Sequence, residues 1–150
     1  LNIDTTLLRG RALAELVKDR VIGEVRNGLS LLFRSFGFKF GVPVDADLVF
    51  DLRCLPNPYW IPELNPLTGL DAPVTRFFEQ SPDVGAMFDD IAGFLERWLP
   101  RFENDQRTYL TVALGCTGGQ HRSVYMAERL RARFDGRFAG VLVRHRELDA

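Results

Sequence analysis

Cysteine, histidine and lysine are nearly missing from this chain of 150 residues, which holds two cysteines, two histidines and a formal net charge of -1. Cys54 and Cys116 lie far apart in unrelated surroundings, which excludes a disulfide framework and a cysteine-based zinc spacing. His121 and His145 are too few for a histidine-rich metal centre, and no metal is expected. Lys18 and Lys39 are the only lysines among 19 basic residues, and the balanced charge leaves no global basic field to draw the chain onto nucleic acid. No apolar run approaches the ~20 residues that cross a bilayer, and residues 1–6 have neither the basic stretch nor the cleavage site of a signal peptide. The chain therefore reads as cytoplasmic, with no membrane partner. The Gly-x4-Gly-Lys-Ser/Thr loop of P-loop nucleotidases is absent too, so no nucleotide cofactor bound in that manner is expected in this chain.

What is present is the composition of one soluble domain, 46% hydrophobic and 26% charged, at a length that can bury a useful core. Asp4, Thr5 and Thr6 cap a predicted helix with Leu7, Leu8, Leu13, Leu16, Val17 and Val21 on one side. Residues 1–28 read as the remnant and linker of a preceding unit, and residues 29–150 as the domain itself. Leu29, Leu31 and Phe33, then Phe36, Phe38 and Phe40, alternate with period two, which predicts a strand that bends or bulges at Gly37. If exposed, those phenylalanines supply a self-association surface, and a homo-oligomer is expected. Residues 48–53 form a second predicted strand.

Residues 54–82 carry six of the eight prolines but also Tyr59, Trp60, Leu64, Leu67 and Leu70, too apolar for disorder. They predict an ordered loop packed over something. Ser81-Pro82 opens a helix, with Met87, Phe88, Ile91, Phe94, Leu95, Trp98 and Leu99 at helical spacing and a predicted stop at Pro100. Residues 109–114 are a β-rich run, a glycine loop follows, and then a helix with Val124, Ala127, Leu130 and Phe134 inward. Residues 138–143 make the last predicted strand. Strands alternate with helices, so the fold class is α/β: an open, mostly parallel or mixed sheet with flanking helices.

The glycine loop is Gly115-Cys116-Thr117-Gly118-Gly119-Gln120-His121-Arg122-Ser123. A strand that turns through small residues into a helix aims several N–H groups and the positive helix end at one spot, which binds an anion. The glycines permit close approach, Thr117 and Ser123 offer hydroxyls, and Arg122 can reach back with a planar fork of donors. A passive strand-to-helix turn needs none of Cys116, His121 and Arg122. The same residues spell Cys-x5-Arg-Ser, the pattern of cysteine-dependent phosphatases, in which a thiolate attacks phosphate held by loop amides and the arginine. That chemistry also needs an acid for the leaving group. Nothing marks Asp51 or Asp71 for it, and glycine precedes Cys116 where those enzymes usually have histidine, so the phosphatase reading stands second.

Asp51-x-Arg53 puts a carboxylate and a guanidinium two residues apart at a strand end, either as partners for a sugar's hydroxyl or amino groups or as a plain ion pair. Residues 120–150 hold seven arginines against four acids. Among them Arg144-His145-Arg146 closes the last strand, as an RNA-contacting edge or a solvated strand end.

Several segments together resemble the RapZ/YvcJ family: Phe36-Gly37-Phe38-Lys39-Phe40-Gly41, Asp45-Ala46-Asp47 through Asp51-Leu52-Arg53, Leu55-Pro56-Asn57-Pro58, Leu67-Thr68-Gly69-Leu70-Asp71, the glycine loop with Val124-Tyr125 after it, and Arg144-His145-Arg146. The resemblance covers residues 29–148. It implies the C-terminal, non-enzymatic domain of a bacterial protein whose N-terminal half is a P-loop ATPase or GTPase, so that ATP or GTP belongs to that half alone. It further implies sensing of glucosamine-6-phosphate and binding of small regulatory RNA presented to an RNase, an adaptor role in amino-sugar regulation. The phosphosugar is then expected on Asp51, Arg53, Cys116, Thr117, Gly118, Gly119, His121, Arg122 and Ser123. Two departures stand out. Asp149-Ala150 falls where RNA-binding members have a basic tail, and Tyr59 falls where histidine is expected.

Overall fold

The computed structural model describes residues 28–148; the helix expected near the start of the chain lies outside them. Among the described residues, four strands build one sheet: β1 (Ser30–Gly37), β2 (Leu48–Asp51), β3 (Tyr109–Cys116) and β4 (Gly140–His145). Every pairing is parallel, in the order β2-β3-β1-β4. Three helices accompany them: α1 (Ala72–Glu79), α2 (Pro82–Asn104) and α3 (Arg122–Phe134). The class is α/β, as the alternation of periods implies, and among the described residues the sheet is parallel throughout.

The order of the strands explains where the helices lie. From β2 through α1 and α2 to β3, and from β3 through α3 to β4, the chain steps across the sheet in the same direction. Right-handed crossovers then place all three helices on one face. On that face alternate strand residues (Leu31 and Phe33 of β1, Leu110, Val112 and Leu114 of β3) pack with Ile91, Leu95 and Leu99 of α2 and Leu130 and Phe134 of α3. Each such side chain contributes about 1.5–3 kcal/mol by leaving water.

Four local expectations need correction. The strand predicted to bend at Gly37 instead ends there, and Phe38–Phe40 forms a 3-10 turn closed by Gly41 at φ 95°. The Lys39 N–H bonds the Thr117 carbonyl at 3.2 Å, so the chain is drawn off the sheet toward the glycine loop. Phe36 is buried, Phe38 packs edge-on to it with centroids 4.8 Å apart, and of the three phenylalanines only Phe40 is exposed. Second, residues 54–82 are not all loop: Asp71 and Pro73 open α1, whose Val74 and Phe78 are buried. Third, α2 runs through Pro100 to Asn104. Pro100 lies on the exposed side while Leu99 and Phe102 keep the apolar stripe on the core, and that packing outweighs one lost helical hydrogen bond. Fourth, β2 stops at Asp51, and β4 runs from Gly140 to His145.

Outside the core, Glu96 of α2 accepts two hydrogen bonds from Arg137, at 2.8 and 2.9 Å, and lies 3.3 Å from Arg133. The Arg137 hydrogen bonds hold the Glu96 carboxyl below its ordinary value. A depressed carboxylate stabilises the fold above its unfolded pKa, and this contribution fades as pH falls through the folded value. The pair is open to solvent, so Glu96→Gln should cost well under ~1 kcal/mol at neutral pH. Urea denaturation should show that difference shrinking in acid below the ordinary glutamate range. A difference that grows there would contradict the sign.

Candidate functional site

Because all four strands are parallel, their carboxyl ends lie along one edge of the sheet, where open α/β folds bind ligands. Gly37, Asp51, Cys116 and His145 end those strands. The glycine loop leaves β3 at the middle of this edge and enters α3 at Arg122. His121 occupies the N-cap position but supplies no side-chain cap, which leaves first-turn N–H groups without intrahelical partners. Among the described residues no protein acceptor takes the N–H groups of Gly118, Gln120, His121 or Arg122.

Two glycines allow the loop to sit where it does. Gly119 adopts φ 76°, a left-handed backbone that other residues reach only at a cost. A Cβ on Gly37 would lie 2.6 Å from the Gly118 carbonyl carbon, so the end of β1 can meet the loop only without a side chain.

The loop's polar side chains are largely engaged with the proline-rich segment that follows β2. Arg122 is 5% exposed. Its Nη1 donates to the carbonyls of Arg53 (2.8 Å) and Leu55 (3.1 Å), and its Nη2 to Thr117 Oγ1 at 3.4 Å. His121 Nε2 meets the Leu64 carbonyl at 3.2 Å, and the Gln120 carbonyl accepts from the Gly69 N–H at 2.9 Å. Three consecutive residues thus fasten residues 53–69 over the loop, which explains how so proline-rich a stretch stays ordered. One donor is left over: Arg122 Nε is buried with no hydrogen-bond partner. An unpartnered buried guanidinium N–H costs on the order of 1–3 kcal/mol, a loss an anion would repair.

Between the loop, the Phe38–Phe40 turn and the proline-rich segment lies a cleft of about 280 Å³, the size of a small metabolite rather than a dinucleotide. Cys116, Thr117, Gly118, Gln120, His121 and Arg122 form one wall; Lys39 and Phe40, and Asn57, Tyr59 and Trp60, form the others. Lys39 and Arg122 give the wall positive charge, and among the described residues no carboxylate lines it. Trp60 is 78% exposed and meets Tyr59 edge-on, centroids 5.0 Å apart. Lys39, Phe40, Asn57, Trp60 and Gln120 were not among the residues expected from the sequence. Only their nearness in space marks them, because turns of unpredicted shape bring them in.

The remaining expected residues lie elsewhere. Asp51 and Arg53 are outside the cleft lining and bind each other bidentately at 2.9 and 2.7 Å. The Arg53 side chain, then its N–H, lowers the Asp51 carboxyl's affinity for protons. Arg53 also stacks its guanidinium 3.9 Å above Phe38. Gly119 and Ser123 do not line the cleft either; Ser123 instead holds the sulfur of Cys116, with Oγ at 3.2 Å and N–H at 3.4 Å. At the end of β4, Arg144 is exposed and His145 is buried. His145 sits between Ser35 Oγ (2.8 Å) and Glu128 Oε2 (2.6 Å). Arg146 donates to the Gly41 carbonyl and to Glu147, both at 2.7 Å, and Glu147 accepts the Gly37 N–H at 2.9 Å. Arg146 and Glu147 therefore tie the end of β4 to the turn after β1.

Among the described residues no group of three or more His, Cys, Asp or Glu is placed to hold a metal ion, and no helix is long and apolar enough to cross a membrane.

Residues 29–149 match the model of the RapZ C-terminal domain. Among curated bacterial relatives, a nucleotide-binding protein of Methylobacillus flagellatus is 60% identical over 99% of this chain and 53% of its own length. Similar proteins of Thiobacillus denitrificans (59% identical, 97% of this chain, 52% of theirs) and Cellvibrio japonicus (56%, 97% and 49%) carry the same description. The chain spans about half the length of these relatives.

Proposed function

The chain belongs to the RapZ C-terminal domain family, and from that premise we propose that it is a regulatory, non-enzymatic domain that senses a phosphorylated amino sugar of the glucosamine-6-phosphate type. The observation that carries the reading is Arg122, which lines the cleft and whose buried Nε has no partner, beside loop amides that have no acceptor among the described residues. A phosphate monoester is the anion this set fits, with Gly118, Gln120 and His121 amides, Thr117 Oγ1, Lys39 and Arg122 around it. The sugar then faces Asn57, Tyr59 and Trp60 at the mouth. Cys116 lies in the wall and Ser123 behind it, while Asp51 and Arg53 act through the backbone of the Arg122-bound segment rather than by contact. Occupancy is read out through residues 53–69, which the loop fastens, to macromolecular partners: a small regulatory RNA and an RNase. On the β4 edge, Arg144 is the residue free to reach RNA phosphate. The nucleotide site of the relatives belongs to the half this chain does not span.

Trp60, exposed at the mouth, is the natural probe. Glucosamine-6-phosphate should change its fluorescence saturably, free glucosamine should not, and Trp60→Phe should abolish the signal while leaving Trp98 unaffected. A response identical for sugar and sugar phosphate would remove the phosphate from the account.

A second reading, phosphatase chemistry at Cys116, is favoured by the Ser123 contacts to its sulfur. Against it, among the described residues no carboxylic acid lines the cleft to protonate a leaving group, and Asp51 is held by Arg53. Turnover of an aryl phosphate lost in Cys116→Ser would promote it.

A further inference from the structure

We propose that Cys116 is an oxidisable thiol at the floor of the anion cleft, and that an anion in the cleft shields it. The proposal rests on the cleft's anion reading for the shielding, and on the thiol's own surroundings for the reactivity.

Cys116 is 3% exposed, yet it is one of the residues lining the cleft, so small solutes approach it from that side. Its sulfur is not set in an apolar pocket. The Ser123 N–H donates to Sγ at 3.4 Å, and the Cys116 thiol donates to Ser123 Oγ at 3.2 Å. Both Ser123 groups belong to the first turn of α3, so a backbone N–H and a hydroxyl attend the sulfur from the side of the loop. Independently, Arg122 lines the same cleft and keeps a buried Nε without an acceptor, which suits the cleft to negative charge. The donors that would hold a phosphate lie beside the place where charge develops on an oxygen departing from a peroxide.

Among the described residues no acid lines the cleft to assist phosphoryl transfer to this sulfur, but reaction with a hydroperoxide needs no separate acid, because the weak O–O bond breaks as the thiol's own proton reaches the departing oxygen. Sγ attacks one peroxide oxygen, the S–O bond forms as the O–O bond breaks, and the thiol proton goes to the departing oxygen. Sulfur is oxidised to the sulfenic acid, and the peroxide is reduced to water or an alcohol. An added oxygen on Sγ then occupies space in the cleft, so oxidation and ligand binding oppose each other.

Cys54, exposed and outside the cleft lining, is an internal control. The experiment treats the folded protein with hydrogen peroxide plus dimedone, and in parallel with methyl methanethiosulfonate, with and without saturating inorganic phosphate, and reads each cysteine by peptide mass spectrometry. Cys116 should be modified in the native protein, at least ~10-fold more slowly with phosphate, while Cys54 is unaffected by phosphate. Ser123→Ala should slow Cys116 alone. Labelling of Cys116 only after denaturation overturns the proposal, as does equal labelling with and without phosphate. Calorimetry with glucosamine-6-phosphate keeps the two readings apart: binding to a protein whose Cys116 is inert sinks the thiol proposal alone. A reactive, phosphate-protected Cys116 with no sugar-phosphate heat sinks the sensor reading alone.

Discussion

Arg122→Ala should weaken sugar-phosphate binding by roughly 10- to 100-fold and lower stability by about 2–4 kcal/mol. The two losses have separate origins. Removing the guanidinium strands the carbonyls of Arg53 and Leu55, which now accept from Nη1 at 2.8 and 3.1 Å, and releases the start of the proline-rich segment. It also removes a charge-assisted donor from the cleft. Arg122→Lys keeps the charge but loses the planar fork; it should recover part of the binding and little of the clamp. Urea denaturation and calorimetry on both variants check this. Arg122→Ala with unchanged stability would mean that the clamp holds nothing, and unchanged affinity would place the phosphate elsewhere.

Gly119→Ala should cost at least ~2 kcal/mol, whereas Gly118→Ala should change stability by under ~0.5 kcal/mol. The neighbours look alike in the sequence but not in space. Gly119 has φ 76°, and a Cβ there would lie 2.7 Å from the Gly37 N and 2.9 Å from the Phe36 carbonyl carbon. Left-handed backbone costs an L-residue about 1–2 kcal/mol, and beyond the side-chain Cγ of Glu147 the displaced atoms are backbone, which cannot turn aside. A Cβ on Gly118 meets only Lys39 Cε, at 3.9 Å. Thermal or urea unfolding of the pair reads the contrast directly, and equal losses would contradict the loop geometry.

The contrast also marks how far the sequence can be read. The glycine loop was legible because strand, small residues and helix follow one another within a few positions, and local geometry fixes what they do. The α/β class was legible for the same reason, through the change of hydrophobic period. What escaped is set by distant packing. Phe38 and Phe40 continue the period of β1, yet the Lys39 N–H finds the Thr117 carbonyl and the strand ends. Prolines suggested loop through residues 54–82, although Asp71 and Pro73 open a helix anchored by Val74 and Phe78. Pro100 read as a stop, but the core side of α2 carries the helix past it.

The candidate site divides along the same line. Thr117, Gly118, His121 and Arg122 of the loop line the cleft. Asp51 and Arg53 stand at the same sheet edge but bind each other, the ion-pair alternative that the sequence left open. His145 and Arg146 share a short basic run with Arg144, yet alternation along β4 buries the histidine against Ser35 and Glu128. No sequence pattern could show that His121 and Arg122 each bind backbone more than 55 residues away, at Leu64, Leu55 and Arg53.

The central claim is that the cleft beside the glycine loop receives the phosphate of a phosphorylated sugar. Calorimetric titration of the wild-type chain with glucosamine-6-phosphate, glucosamine and inorganic phosphate tests it most directly. The account predicts saturable 1:1 heat for the sugar phosphate, competition by inorganic phosphate, and none for the free sugar. No heat from the sugar phosphate, or equal heat from glucosamine, would contradict it.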